Sequence, residues 1–149
     1  MEQKEKIEKR CNVILDCLQQ MEEVLPDNSE EYNKNHIYQN ASERLVEKIV
    51  DSSTDIIAIM CNLENVTSTS ILDFSTMVKA LEHKGIFTKK IAESLIDLYG
   101  FKNRILYNYG ENEKTAAYEI LVSEFFPFYQ EFVDFVDSNI LKNGPLVDR

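Results

Sequence analysis

Apolar side chains recur at alternating spacings of four and three residues along most of the chain. The first such stripe consists of Ile7, Cys11, Ile14, Leu18, Met21 and Leu25. Residues at these spacings share one face of an α-helix, so the pattern predicts a long amphipathic helix. The segment Pro26-Asp-Asn-Ser ends it, and the polar residues 26–40 predict an irregular connection to the next helix.

The same rhythm predicts a second long helix and then a short one. The second stripe consists of Leu45, Ile49, Ser52, Ile56, Ile59 and Leu63. The third stripe consists of Ile71, Phe74, Val78 and Leu81. The segment His83-Lys84-Gly85 closes it, because basic residues and glycine favour a helix C-terminus.

Two further helices are predicted in the second half of the chain. Thr88 is a suitable N-cap for the fourth helix, whose seam runs through Ile91, Leu95, Leu98, Lys102 and Ile105. The last helix begins near Asn112, and its aromatic run from Phe125 to Phe135 is predicted to lie in the core or a dimer interface. Pro127 should bend or break this helix, since proline lacks a backbone donor and clashes with the preceding turn.

These elements predict an all-α protein: an antiparallel four-helix bundle with an additional short helix. Residues 1–149 are expected to form a single domain, with residues 142–149 as a flexible tail. The chain contains only 4 glycines and 3 prolines, too few for the many tight turns of a β-sandwich or barrel.

Charge narrows the range of partners. The formal net charge of -10 disfavours autonomous DNA binding, because the chain as a whole repels polyanions. Between Ser75 and Tyr109, however, six basic residues stand against three acidic ones. This region is either a local contact for a polyanion or an ordinary solvated helix surface.

The remaining composition points to the cytosol. No apolar run is long enough to span a membrane, and the N-terminus lacks the apolar region of a signal peptide. Cys11, Cys17 and Cys61 contain no Cys-x-x-Cys pair, so we expect reduced, packed thiols rather than disulfides or a zinc site. No glycine-rich phosphate loop or metal-ligand cluster is present in the sequence, and the Asp51 and Asp55 pair is interpreted as a polar helix rim.

Chemistry is suggested by one stretch, Phe101 to Tyr109. Lys102 interrupts the apolar seam, and Tyr109 returns to nearly the same helix face seven residues later. Tyr107 lies about 140° away from Lys102 on an ideal helix. A single site containing both would therefore need the helix to end between them or a second subunit to supply one of them. The structural alternative is a lysine that extends to solvent from the bundle end, beside packed tyrosines.

The string Gly100-Phe-Lys-Asn-Arg-Ile-Leu-Tyr-Asn-Tyr-Gly110, followed by Tyr118-Glu-Ile-Leu121, resembles the signature of the HepT-like branch of the HEPN superfamily. That signature typically reads Gly-Phe-Arg-Asn-x-x-x-His-x-Tyr. Segments near Ile7, in the second helix and before the motif helix are similar to the family pattern in the same order. The resemblance covers roughly Ile7 to Asn139.

The resemblance implies a homodimeric helical bundle with a ribonuclease site in the cleft between subunits. Such proteins are toxins that need no metal or other cofactor, and they pair with a nucleotidyltransferase antitoxin called MntA. The antitoxin attaches AMP to the motif tyrosine, a position that corresponds to Tyr109. By the same resemblance Lys102, Asn103 and Tyr107 occupy the catalytic positions, and Arg104 is a candidate for binding RNA.

The motif is altered at its two decisive positions. Lysine at position 102 keeps a positive charge for phosphate but loses the planar, bidentate guanidinium. Tyrosine at position 107 is a poor proton acceptor at neutral pH, where the imidazole of histidine is well matched. General acid–base catalysis is worth about 10²- to 10⁴-fold, so its loss can silence turnover. His36 and His83 lie near predicted loops and are not expected to replace it.

Three hypotheses follow from these observations. The chain is an active or weakened ribonuclease toxin, a catalytically inactive relative that keeps its dimer and its nucleotidyltransferase partner, or a non-enzymatic module that binds RNA or a nucleotide. The second is preferred over the first. No membrane association is expected for any of them.

Overall fold

A computed structural model describes residues 2–66, 73–107 and 111–142, with the side chains of 111–115 excluded. Within these ranges the ordered elements are all helical, as the sequence predicts. In chain order they are α1 (Glu2–Val24), α2 (Ser29–Lys34), α3 (His36–Leu63), α4 (Phe74–His83), α5 (Lys89–Tyr107), α6 (Glu111–Ile120) and α7 (Phe126–Val136). Two π-helical turns, Leu121–Phe125 and Asp137–Lys142, follow α6 and α7 respectively.

The bundle is built on an antiparallel pair formed by α1 and α3. An ion pair of 3.2 Å between Arg10 and Asp55 joins the start of α1 to the second half of α3. Helix α5 packs on α3 and α4, while α7 packs on α1, so four long helical segments surround one core. The predicted apolar stripes face inward: Ile7, Ile14 and Ile49, for example, are fully buried.

The prediction of an irregular connection over residues 26–40 was wrong. Helix α2 and the first turns of α3 occupy most of this stretch. Two asparagines start these helices: the Asn28 side chain accepts a hydrogen bond from the Glu31 N–H at 2.9 Å, and that of Asn35 accepts one from the Ile37 N–H at 2.8 Å. Tyr32 anchors α2, because its ring is buried and its hydroxyl is hydrogen-bonded to Ser42 at 2.8 Å.

Pro127 interrupts the α-helical pattern without ending the helical path. The π-helical turn Leu121–Phe125 directly precedes it, and the Phe126 N–H donates to the Leu121 carbonyl five residues earlier. This wider turn places Pro127 in the first turn of α7, where a missing N–H costs little. Of the predicted C-terminal tail, Lys142 ends the last π-helical turn, and residues 143–149 lie outside the described part of the chain.

The aromatic run supplies a large part of the core. Phe125, Tyr129 and Phe132 are at most 1% exposed, and their rings contact one another in a chain. The Tyr129 hydroxyl lies 3.3 Å from the Ser53 hydroxyl on α3, which satisfies the polar end of this buried ring. The prediction of a core role is therefore confirmed for these three residues.

The three cysteines are buried and unpaired, as predicted. Burial raises the pKa of Cys11 to about 12 and that of Cys61 to about 11, so both thiols stay protonated at neutral pH. In the described ranges, no helix combines the length and apolar character that a membrane crossing requires.

Candidate functional site

Helix α5 carries the motif. The Thr88 side chain accepts a hydrogen bond from the Ile91 N–H at 3.2 Å, which confirms the predicted N-cap. Leu95, Leu98 and Ile105 are buried against the core. Lys102 shares this inward seam and is only 8% exposed, so a basic residue occupies a position where a hydrophobic one would satisfy the pattern.

The Lys102 ammonium contacts an aromatic ring. Its ammonium Nζ lies 4.4 Å from the ring centroid of Tyr99, one turn earlier on α5. The Tyr99 ring in turn stacks on Phe74 of α4, with 4.4 Å between centroids and 13° between planes. Among the described residues, none forms an ion pair or a hydrogen bond with Lys102. A cation–π contact therefore stabilises the charge.

Tyr107 is placed on a different side of the helix. Its side chain is 67% exposed at the last residue of α5, whereas Lys102 is buried. The separation agrees with the rotation of about 140° expected over five helical residues. One chain therefore does not bring the two altered motif positions together. Tyr109, the expected modification position, lies outside the described residues.

Asn103 and Arg104 occupy intermediate and exposed positions beside Lys102. The Arg104 guanidinium extends back along α5, because a Cβ added at Gly100 would lie 3.4 Å from its terminal nitrogen. Gly100 thus leaves room for this arginine. Arg104 points into a hollow lined by Asp97 and Glu124, so it does not share the surroundings of Lys102.

Other candidate groups have structural positions. His36 begins α3 and His83 ends α4, which agrees with the prediction that both lie near helix ends. Asp55 is paired with Arg10, and Asp51 is exposed one turn earlier. In the parts of the chain that the structure describes, no group of histidine, cysteine and acidic side chains has a geometry suited to a metal ion.

Sequence reasoning missed Tyr99 and Phe74 as neighbours of the motif lysine. The contact of Tyr99 with Lys102 could have been predicted, since residues three apart on a helix are adjacent. The contact of Phe74 with Tyr99 depends on how α4 packs against α5, and the spacing of residues along the chain does not contain that information.

The fold is a helical bundle, and its motif helix buries a lysine that forms no ion pair with any residue the structure describes. The model of the Ribonuclease HepT-like family matches residues 14–136, and the chain belongs to this family. The resemblance seen in the sequence is thereby confirmed. Among curated proteins, a sequence search finds no significant match to this chain.

Solved structures of toxin–antitoxin complexes share the fold. The tri-AMPylated HEPN toxin of Shewanella oneidensis, in complex with its MNT antitoxin, is 13% identical with a TM-score of 0.80, over 90% of this chain and 98% of that one. A mutant MntA–HpeT complex is 12% identical with a TM-score of 0.79, over 91% and 99% of the two chains. A toxin–antitoxin complex with AMP-PNP is 12% identical with a TM-score of 0.79, over 88% of this chain and 97% of that one.

Proposed function

We propose that this chain is the toxin-side member of a HEPN/nucleotidyltransferase pair in the cytoplasm, with its ribonuclease activity weakened or lost. The observation that carries the proposal is the environment of Lys102. A cation that is 8% exposed, without an acidic partner among the described residues, suits a group whose partner is an external phosphate.

The loss of activity follows from position 107. Cleavage of RNA by this family's motif needs a group that accepts or donates a proton at the ribose hydroxyl or the leaving oxygen. The exposed phenol of Tyr107 is a poor base at neutral pH and faces away from Lys102 within one chain. Lys102 can hold a phosphate without this proton transfer. We therefore expect RNA binding to remain where cleavage is lost.

We also propose a homodimer and a nucleotidyltransferase partner. The support is the family and the fold shared with toxins solved beside MNT or MntA antitoxins. In this reading the Tyr109 phenol oxygen attacks the α-phosphorus of ATP, bound by the partner, and pyrophosphate leaves. Mass spectrometry after co-expression with a neighbouring nucleotidyltransferase tests this, and labelling that survives Tyr109→Phe would refute the acceptor. Light scattering at micromolar concentration tests the dimer, and a monomer would refute it.

A second candidate function is a non-catalytic module that binds RNA or a nucleotide. The exposed Tyr107 ring favours it, because an uncovered aromatic face can stack on a base. The basic excess between Ser75 and Tyr109 supplies a local field for the same ligand.

Cleavage of RNA separates these functions. Native protein and the double variant Lys102→Arg/Tyr107→His are incubated with the same tRNA and single-stranded RNA, with the variant Lys84→Arg as control. We expect cleavage by the double variant only, since it restores both the bidentate cation and the imidazole. Cleavage by the native chain that survives replacement of Lys102 and Tyr107 would contradict the proposed site.

A further inference from the structure

A continuous groove runs between α5 and the C-terminal helical segment. Three adjoining hollows of about 350, 250 and 390 Å³ form it. The first and second share Asp97, Leu98 and Glu124, while the second and third share Phe128 and Glu131. We refer to the surface formed by these shared residues and their neighbours as the α5–α7 groove.

The floor of the α5–α7 groove is apolar. Leu98 lies beneath it, and Phe128 and Phe135 are half-buried, so each ring keeps one part uncovered. The π-helical turn before Pro127 forms part of the wall, where Ser123 and Glu124 line the middle hollow. Turns of this kind occur frequently at functional sites. The partly uncovered rings of Phe128 and Phe135, between two helices, offer apolar contact to one face of a third helix.

The rims are acidic. Asp97, Glu124, Glu131 and Asp134 are exposed, and none of them forms an ion pair with any residue that the structure describes. Against these four carboxylates the groove lining contains two cations, Lys90 and Arg104, which lie at the two ends of its α5 side. The negative charge of the rims therefore favours a ligand that carries positive charge along both sides.

This charge excludes two other occupants. A strand of RNA would bring phosphates against the four carboxylates of the rims. A second copy, docked by a two-fold axis, would bring the same four carboxylates and only two cations to the interface, because such an interface pairs a patch with itself. Lys102 is absent from the groove lining, so the groove and the motif lysine belong to different faces of α5.

The length of the groove sets the size of the ligand. From Lys90 to Arg104 the helix rises about 21 Å at 1.5 Å per residue, which corresponds to about 14 residues of a docked helix. We propose that the α5–α7 groove is a docking surface for an amphipathic helix of a partner protein, apolar on one face and rich in lysine or arginine along both flanks. The inference is independent of whether the chain cleaves RNA.

The test uses the full chain and a synthetic probe. A fluorescein-labelled 14-residue peptide of leucine and lysine, with leucine on one helical face, is titrated in physiological salt and followed by fluorescence anisotropy. A scrambled peptide of the same composition removes the apolar face, and a leucine–glutamate peptide reverses the charge. We expect saturable binding of the first peptide only.

Two charge-matched variants decide the location. Glu124→Lys/Glu131→Lys reverses the groove rim, and Glu22→Lys/Glu23→Lys makes the same change in net charge on the exposed end of α1. We expect at least a tenfold loss of affinity for the groove variant and less than a twofold loss for the control. Equal losses, or equal binding of the scrambled peptide, would overturn the proposal, because they indicate non-specific attraction to an acidic protein.

Cross-linking maps the contact directly. A benzophenone placed on the leucine face of the peptide should insert into segments that line the groove, between Lys90 and Arg104 or between Ile120 and Asn139. Insertion elsewhere would contradict the assignment. Dissociation of a native dimer by Glu124→Lys/Glu131→Lys would also overturn it by giving the groove to another occupant.

Discussion

Two tyrosines of this chain illustrate two kinds of region. Tyr129 is fully buried among aromatic rings, and its hydroxyl lies 3.3 Å from that of Ser53. Tyr107 is 67% exposed at the end of the motif helix, where it follows a buried lysine that has no acidic partner among the described residues. In the first region the polar end of the tyrosine has a partner within the protein. In the second region the charge of Lys102 meets an aromatic ring, and the Tyr107 ring is open to solvent.

Replacing each of the two tyrosines by alanine tests most clearly whether the two regions differ, and it should give the largest difference in stability. Tyr129→Ala removes a ring in contact with Phe125, Phe128 and Phe132, so we expect the free energy of unfolding to fall by about 3–5 kcal/mol. Tyr107→Ala should change it by no more than about 0.5 kcal/mol. Urea denaturation measures both. Similar losses at the two positions would mean that Tyr107 is packed in the folded protein.

The dependence of stability on alkaline pH tests the burial of the Tyr32 hydroxyl. Burial raises the pKa of Tyr32 to about 12, from an ordinary value of 10.0. The unfolded chain therefore releases this proton first, and stability falls as pH rises through this interval. Between about pH 9 and about pH 11 we expect Tyr32 to account for about 1 kcal/mol of the decline.

The variant Tyr32→Phe isolates that contribution. It should be less stable at neutral pH, because the hydrogen bond to Ser42 is lost, but its stability should decline less steeply between the same two pH values. Identical pH profiles of the native and variant proteins would show that the Tyr32 proton does not respond to folding. The buried thiols of Cys11 and Cys61 contribute to the decline in both proteins equally.

Among the buried positions of the helix seam, the smallest change in stability is expected at Lys102. Lys102→Met keeps an unbranched side chain and removes a buried charge, so the free energy of unfolding should rise or stay within about 1 kcal/mol of the native value. Its seam neighbour gives the contrast, since Leu98→Ala should cost about 2–5 kcal/mol. A loss of more than about 2 kcal/mol for Lys102→Met would identify the lysine as a structural residue.

Sequence patterns predicted most of the bundle because its long helices bury regular stripes. Helix α2 was missed because six residues are too few for a stripe, and its signals were the N-cap residue Asn28 and the buried Tyr32. The opposite orientations of Lys102 and Tyr107 followed from 100° per residue. The stacking of Tyr99 on Phe74 and the α5–α7 groove depend on how helices meet, and so neither could be read from spacing.

Binding of RNA tests most directly the central proposal, which is that Lys102 is a retained phosphate site. Native protein, Lys102→Met and the exposed-lysine control Lys84→Met are titrated into a labelled single-stranded RNA at fixed salt, and anisotropy gives the dissociation constants. Both variants lose one positive charge, so long-range attraction changes equally. We predict at least a tenfold weakening for Lys102→Met and less than a twofold weakening for Lys84→Met. Equal weakening by the two variants, or no binding by the native chain, would contradict the account.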